Sequence, residues 1–354
     1  MNNSQHDGHT FNGAGMHFSS LIEVCKARSQ LGRIKLFLCA GAACLAMIGP
    51  AAAQPQSNSS IRLIVPFPAG GGPDLIARTI APGLAERMGK NVIVDNRPGS
   101  GGIIGTLAGA QAAPDGLTIT FGSTSSYAAG PALNKSNVLY DATRDFIHIG
   151  MIGRVPVVLI VKADGPFKNM DQLLAAAKQK PGDLNVGYPG NGSAPHLLGE
   201  IFLDSASIKV TAIPFRGGPD SLNALLSGNI SYAVTNIAPV SAQISAGKVN
   251  ALAVSGSART KALPNTPTFA ELGFKGLDGE IWYVLSAPLG TDVGYIKKFN
   301  IALNEVLKLP QVKLRLEKEG LTVFHSSEGE ASAFIRTDIP KWIEAAQKAN
   351  AKIE

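Results

Sequence analysis

Cysteine is scarce in this chain of 354 residues, and its three cysteines all lie close to the beginning. Because Cys25, Cys39 and Cys44 precede residue 50, the rest of the chain can form no disulfide, thiol nucleophile or cysteine-ligated metal site. Aromatic residues are few, at 6%, and charged residues reach 16%, below the roughly 25% of an average soluble domain. Hydrophobic residues make up 45%, which excludes intrinsic disorder, since disorder requires low hydrophobicity.

Other features are missing after residue 50. No apolar run there approaches the ~20 residues that span a bilayer, which excludes a multi-pass membrane protein. Basic residues outnumber acidic ones by 32 to 26, but they form no cluster interleaved with aromatics, so we expect no nucleic-acid partner. His148 and His325 are expected to be structural, and no His-x-x-x-His or carboxylate cluster indicates a metal site.

The glycine-rich segments differ from those that bind nucleotides. No G-x-x-x-x-G-K-[ST] motif surrounds residues 66–74. Gly99, Gly101 and Gly105 follow a predicted strand, but their spacing is G-x-G-x-x-x-G, and the acidic residue required about twenty positions further on is not evident. We therefore expect no cofactor.

The beginning of the chain carries an export pattern. Four basic residues precede an apolar stretch at residues 36–48, and small residues follow it up to Ala53. This order is typical of a secretory signal peptide, and the stretch is too short for a membrane anchor. We predict a signal peptide in residues 1–53, cleavage after Ala53 and a periplasmic mature protein. Residues 1 to about 20 lack the pattern and are interpreted as an upstream extension, with Met16 as an alternative start.

Predicted strands and helices alternate along the rest of the chain. Residues 61–65 form a short β-branched run typical of a buried strand. Ile76, Ile80 and Leu84 recur at helical spacing and predict a helix over 75–88. This alternation is typical of parallel βαβ units and predicts the α/β fold class. Further strands are predicted at 91–95, 117–121, 155–161, 184–188, 210–214, 230–235 and 251–255, and further helices at 103–112, 171–180, 194–205, 219–227, 240–247, 293–307, 311–319 and 327–350.

One motif occurs twice. Residues 71–74 and 217–220 both read Gly-Gly-Pro-Asp, and each follows an apolar run that ends in Pro-Phe. Glycine lets backbone N–H groups approach a ligand, and proline fits the first turn of a helix. The start of a helix offers free donors and partial positive charge to an anion. Two ordinary strand-to-helix turns are the alternative, but the repetition favours an anion held between two halves of the protein.

Ser193 and His196 lie three residues apart, which invites a nucleophile-and-base interpretation. However, the G-x-S-x-G elbow of hydrolases is absent, because Ala194 and Pro195 follow the serine. Ser193 also stands where the N-cap of a predicted helix belongs. We favour a cap that donates to a ligand over a bare cap, and leave open whether His196 faces the same site or packs.

Residues 65–78, which read VPFPAGGGPDLIAR, closely resemble the beginning of the solute-binding proteins of tripartite tricarboxylate transporters, the Bug family. Further segments resemble the same family in the same order. The resemblance covers essentially all of the chain after the predicted signal peptide. These segments are 95–105, 114–116, 190–193 with 196–197, and 264–273.

The resemblance implies a periplasmic-binding-protein-like fold, with two α/β domains, a ligand cleft between them and crossing hinge strands. No low-complexity linker divides the chain, so strands must cross the boundary. We place the crossings near 157–161 and 282–286. Domain 1 would comprise 60–157 plus 284–354, with the last helices returning to it, and domain 2 would comprise 158–283.

The family's function, carried over to this chain, is capture of a small organic acid for uptake of the tripartite tricarboxylate type. The partners implied are that carboxylate ligand and a membrane permease or a sensor, and we expect a monomer without catalytic activity. Two alternatives stay open. One is a secreted hydrolase or esterase that uses Ser193 and His196, and the other is a binding protein that serves signalling.

The resemblance also implies a set of ligand-binding residues, most of which follow the carboxyl ends of predicted parallel strands, where α/β sheets bind ligands. For Asp74 an alternative is to stabilise its own loop, since a carboxylate is a poor contact for an anion. Arg216 would either pair with a distal carboxylate or lie on the surface. The set is Phe67, Ala69, Gly70, Gly71, Gly72, Asp74, Ser123, Thr124, Ser125, Gly192, Ser193, His196, Arg216 and Asn236.

Overall fold

Apolar β-branched runs and amphipathic segments fold into two β-sheets flanked by helices. The structure is a computed structural model and describes residues 59–134 and 138–348. The predicted signal peptide lies outside the described residues. The strands are β1 (Ile61–Val65), β2 (Val92–Asn96), β3 (Thr118–Ser123), β4 (Phe146–Val155), β5 (Val157–Lys162), β6 (Asn185–Tyr188), β7 (Thr211–Pro214), β8 (Tyr232–Asn236), β9 (Val249–Val254), β10 (Ile281–Pro288) and β11 (Thr322–Val323).

The helices follow the predicted order, with boundaries shifted by a few residues. A π-helical turn, Ser125–Ala129, follows β3, and neither it nor the short α-helix that continues it, Gly130–Leu133, was predicted. The α-helices are α1 (Gly72–Met88), α2 (Ile103–Ala110), α3 (Gly130–Leu133), α4 (Met170–Gln179), α5 (Ala194–Ala206), α6 (Gly218–Leu226), α7 (Ser241–Ser245), α8 (Val293–Lys308), α9 (Pro310–Lys318) and α10 (Glu328–Lys348).

Both sheets are mixed rather than purely parallel. The first has the order β11-β4-β10-β3-β1-β2, and the second β7-β6-β8-β5-β9. In the first sheet β1 is parallel to β2 and β3, but β10 is antiparallel to both β3 and β4. In the second, β6 is parallel to β7 and β8, whereas β5 is antiparallel to β8 and β9. A buried strand is apolar whichever way it runs, so its composition does not fix its direction.

The chain passes between the sheets at a proline. Only Pro156 separates β4 of the first sheet from β5 of the second, so the strand predicted over 155–161 is interrupted. Proline has no N–H to donate to a ladder, which favours a break there. The chain returns before Ile281, and all of β10 pairs within the first sheet. The exact domain boundaries stay a prediction.

The last helix packs against the first sheet. Ala331 and Ile335 of α10 lie in one buried cluster with Trp282 and Val284 of β10. The indole N–H of Trp282 also donates to the Asp338 carboxylate of α10 at 2.7 Å. Among the described residues no helix is both long and apolar enough to cross a membrane.

Candidate ligand-binding site

The two Gly-Gly-Pro-Asp motifs begin helices in the same way. Helix α1 starts after the N-cap Gly71, and α6 starts after the N-cap Gly217, with a proline in the first turn of each. Helix α1 therefore begins three residues before the predicted position, at Gly72 rather than 75. The first-turn N–H groups of a helix have no partner within it, so both loops present donors at their tips.

The two loops pack against each other. A Cβ placed on Gly217 would lie 3.0 Å from Cγ of Pro68, and one on Gly70 would lie 3.9 Å from Cγ of Pro219. Each loop therefore contributes a proline that faces a glycine of the other loop. Because glycine carries no side chain, the two helix N-termini can approach the same space.

Asp74 holds the first loop together. Its buried carboxylate accepts hydrogen bonds from the N–H of Gly70 at 2.9 Å, from Nδ2 of Asn96 at 3.0 Å and from Nε of Arg78 at 2.9 Å. Burial alone would raise the pKa of this carboxyl, but the hydrogen bonds from Arg78, Gly70 and Asn96 bring the pKa below its ordinary value. The side chain therefore shapes the loop, as one of the two interpretations of the sequence proposed.

A third helix N-terminus reaches the same region at α5. Ser193 is its N-cap, as predicted, and its Oγ accepts a hydrogen bond from the N–H of His196 at 3.3 Å. The N–H of Ala194 donates to Oγ of Ser125 at 3.0 Å, so a hydroxyl beyond β3 of the first sheet caps a helix beside the second. The two sheets are thus linked at the start of α5.

His196 supports the loop before α5. Its Nδ1 accepts a hydrogen bond from the N–H of Gly192 at 3.1 Å, and its Nε2 lies 3.7 Å from a carboxylate oxygen of Glu200. Burial lowers the pKa of His196 to about 4, so the ring is neutral at pH 7. An acceptor at Nδ1 requires the proton on Nε2, which faces Glu200. Neither ring nitrogen therefore serves Oγ of Ser193 as a base.

These loops enclose a small space that we call the inner cavity, with a volume of about 30 Å³. None of the side chains that line it is charged. Oγ1 of Thr235 and Oδ1 of Asn236 are buried without a hydrogen-bond partner among the described residues, and Nδ2 of Asn236 donates to Oη of Tyr283 at 3.3 Å. The lining residues are Phe67, Pro68, Gly71, Gly72, Pro73, Ser123, Ser125, Pro189, Ser193, Pro195, Gly217, Gly218, Thr235, Asn236, Pro239 and Tyr283.

The cavity combines neutral donors with helix N-termini. Burial keeps the pKa of Tyr283 above its ordinary value, so its hydroxyl stays protonated and can donate. Helix N-termini and hydroxyls stabilise a carboxylate without a counter-charge. Within the described ranges, no group of three or more His, Cys, Asp and Glu residues is placed to hold a metal ion. The arrangement suits a small anion.

Residues 76–351 match the pattern of the tripartite tricarboxylate transporter family receptor. The chain belongs to this receptor family. It is similar to protein BugT of Bordetella pertussis, with 33% identity over 306 residues, which cover 86% of this chain and 94% of BugT. The two mixed α/β sheets of this receptor and their flanking helices match the fold of solved periplasmic binding proteins.

Solved structures share this fold over most of the chain. The periplasmic binding protein BugD superposes with a TM-score of 0.79 at 30% identity, covering 83% of this chain and 98% of BugD. A Rhodopseudomonas palustris protein with adipate gives 0.78 at 29%, covering 82% and 97%. MatC from the same organism, with bound malate, gives 0.76 at 27%, covering 81% and 98%.

The structure brings half of the predicted site residues of this receptor to the inner cavity. Ala69 and Arg216 instead line a neighbouring, wider space that we call the outer cavity, which Phe67 also borders. Two hydrogen-bonded pairs stabilise the loops without lining the inner cavity, namely Gly70 with Asp74 and Gly192 with His196. The residues at the inner cavity are Phe67, Gly71, Gly72, Ser123, Ser125, Ser193 and Asn236.

Thr124 is turned away from both cavities. Its Oγ1 accepts a hydrogen bond from the N–H of Trp282 at 2.8 Å and ties the end of β3 to β10. The flanking serines face the inner cavity instead. In the polar triplet at the end of β3, the two serines therefore line the inner cavity and the threonine links two strands. The residue types alone do not show which member has which role.

Several cavity residues of this receptor escaped the sequence analysis. Gly217 and Gly218 lie in the second Gly-Gly-Pro-Asp motif, whose repetition already pointed to them. Thr235 directly precedes the predicted Asn236. Tyr283 lies on β10, in the segment assigned to a domain crossing, and no pattern in the sequence marked it.

Proposed function

We propose that this receptor is exported to the periplasm, captures a small organic acid in the inner cavity and serves uptake through a tripartite tricarboxylate-type permease. The observation that carries the proposal is the lining of the inner cavity, where three helix N-termini meet uncharged donors. Such groups bind an ionised carboxylate by donating hydrogen bonds to its oxygens. The adipate and malate of the related structures are both dicarboxylates, which supports this ligand class.

Capture requires contacts from both sides of the cleft. Gly71 follows β1 and Ser123 ends β3 of the first sheet, whereas Ser193 and Gly217 follow strands of the second. A ligand that contacts all four favours the closed arrangement over the open one by its differential binding energy. We propose that the sheets with their helices close around the ligand as two domains.

The proposal assigns no chemistry to Ser193 and His196. Nδ1 of His196 is occupied by the N–H of Gly192, and Oγ of Ser193 accepts the His196 N–H, which is a helix cap rather than a nucleophile–base pair. These contacts favour binding over hydrolysis. The signalling role considered above uses the same cavity and would differ only in the partner.

The first experiment is a thermal-shift and calorimetric screen of residues 54–354 against small mono-, di- and tricarboxylates. At one hundred times its Kd, a ligand adds about 2.7 kcal/mol to the free energy of unfolding, a shift of a few degrees. Unchanged ligand, followed by NMR, is expected after prolonged incubation. Consumption of a panel member would contradict the proposal, as would the absence of binding to any carboxylate.

Two matched serine variants separate binding from stability. Ser193→Ala and Ser327→Ala each remove a hydroxyl at a helix start that accepts an N–H at 3.3 Å, but Ser327 directly precedes α10 and does not line the inner cavity. Each is expected to cost about 1 kcal/mol of stability. Only Ser193→Ala should also weaken ligand affinity, by about tenfold, because it removes a donor in the cavity. Equal affinities in the two variants would contradict a ligand contact at Ser193.

A further inference from the structure

The outer cavity adjoins the inner one. Its volume is about 890 Å³, against about 30 Å³ for the inner cavity. The two share three lining residues, Phe67, Pro68 and Pro189. A ligand bound in the inner cavity can therefore extend past these three residues into the outer cavity.

Apolar side chains and backbone form most of the lining of the outer cavity, together with the polar residues Asn96, Ser100, Asn191 and Arg216. The side-chain amide of Asn96 is already engaged by Arg78, by the carbonyl of Phe67 and by Asp74. Besides the three shared residues, Pro214 and Phe215 contribute apolar surface from the end of β7. The glycine-rich segment at 99–102 contributes mainly backbone. Where a ligand crosses Phe67, Pro189 and Phe215, this apolar surface favours a hydrocarbon chain, because a hydroxyl buried against it would lack a partner.

Arg216 is the one charged side chain among the residues that line the two cavities. It is exposed and forms no hydrogen bond or ion pair within the described part of the chain. No carboxylate among the described residues borders either cavity to neutralise it. A guanidinium in this position can hold a carboxylate through two parallel N–H donors.

We propose that the receptor selects a linear dicarboxylate whose two acid groups are separated by an apolar chain. This inference rests on the proposed function. The inner carboxylate binds the neutral donors around Ser193 and Asn236, the chain crosses Phe67 and Pro189, and the outer carboxylate pairs with Arg216. Arg216 is thus a specificity residue that distinguishes diacids from monoacids of the same length.

The test measures affinities by calorimetry for linear α,ω-dicarboxylates of four to eight carbons and for the monocarboxylates of the same lengths. The diacid of the preferred length is expected to bind about tenfold more tightly than its monoacid. Arg216→Gln should abolish this preference, because the diacid loses the partner of its outer carboxylate. Arg216→Lys should retain part of it, because the charge remains while the planar fork is lost.

Arg144→Gln provides the matched control. Arg144 is also exposed, and its side chain pairs with Asp141, away from both cavities. This variant should keep the full preference for the diacid. If monoacids bind as tightly as diacids, or the preference survives in Arg216→Gln, the inference is wrong while carboxylate capture stands. If no member of either series binds, the proposed function itself fails.

Discussion

At the scale of single residues, the buried carboxylate of Asp74 holds a loop of the inner cavity in place but does not line the cavity itself. Asp74 and Asp220 occupy equivalent positions in the two Gly-Gly-Pro-Asp motifs. Asp74 is 2% exposed and accepts hydrogen bonds from three residues, whereas Asp220 is exposed in the first turn of α6. The aspartate of the first motif therefore holds its loop through hydrogen bonds, whereas the aspartate of the second motif is a solvent-exposed charge at the start of a helix.

This difference predicts unequal effects of removing the two charges. Asp74→Asn is expected to lower the free energy of unfolding at pH 7 by about 1–3 kcal/mol, because a hydrogen-bonded buried carboxylate is lost. Asp220→Asn, the control, should change it by less than about 0.5 kcal/mol. Urea unfolding of both variants measures the difference, and equal losses would contradict the anchoring role.

The contribution of Asp74 should also depend on pH. Its pKa in the folded protein lies below the ordinary value because of the hydrogen bonds from Arg78, Gly70 and Asn96, which outweigh burial. The stabilisation is therefore complete above the unfolded pKa of roughly 4 and disappears as the pH falls through the folded pKa. The gap in stability between wild type and Asp74→Asn should narrow in acid, and a constant gap would contradict this assignment.

At the scale of secondary-structure elements, two loops that follow strands of different sheets contact each other through backbone atoms at a pair of glycines. Gly101 lies after β2, and a Cβ placed on it would lie 2.9 Å from the carbonyl carbon and oxygen of Gly192, which lies after β6. Gly101 also has φ +63°, a left-handed conformation that favours glycine. Two independent constraints therefore fix this residue as glycine.

Gly101→Ala tests whether this loop contact accompanies ligand binding. Gly89 is the matched control, since its φ is +66° but no atom lies within 4 Å of its Cβ position. Both alanine variants should lose about 1–2 kcal/mol of stability from the left-handed backbone. Only Gly101→Ala should also weaken carboxylate binding, because its methyl group keeps the two loops apart. Affinity is measured by calorimetry, and an equal loss in Gly89→Ala would refute the contact's role.

At the scale of the whole molecule, two buried histidines link folding stability to pH. His148 lies on β4 with Nδ1 3.0 Å from Oγ of Ser286, and His196 lies in α5. Burial lowers the pKa of each to about 4, with the nearby Arg336 adding to the effect at His148. Both rings are neutral when folded, but in the unfolded chain they would take up protons below roughly pH 6.5.

The sign of this linkage is a loss of stability in acid. Between about pH 6.5 and pH 4 the unfolded chain binds more protons than the folded one, so the free energy of unfolding should fall by a few kcal/mol in total. Above pH 6.5 the histidines should contribute no pH dependence. Urea unfolding from pH 7.5 to 4 measures the slope, which His148→Gln and His196→Gln should each reduce. His325→Gln, at an exposed position, is the control and should reduce it least. An unchanged slope in both buried variants would contradict the linkage.

The local features of this protein could be predicted from the sequence. The Ser193 cap, the prolines in the first turns of α1 and α6, and the pairing of Ser327 with Glu330 before α10 all involve residues within four positions of each other. Such contacts depend on backbone geometry that neighbouring residues set by themselves. The α/β alternation and the family motifs are local in the same sense.

Contacts between distant parts of the chain set which residues line the inner cavity and in which direction the strands run. Tyr283 reaches Asn236 across 47 positions of sequence, and Ser125 caps α5 across 69, so no local pattern could pair them. The direction of β10 and the break at Pro156 likewise follow from long-range sheet pairing. Most elements, their caps and the family could be predicted from the sequence, because those features depend on short-range preferences. Folding decided the cavity, because residues far apart in the chain must meet to enclose it.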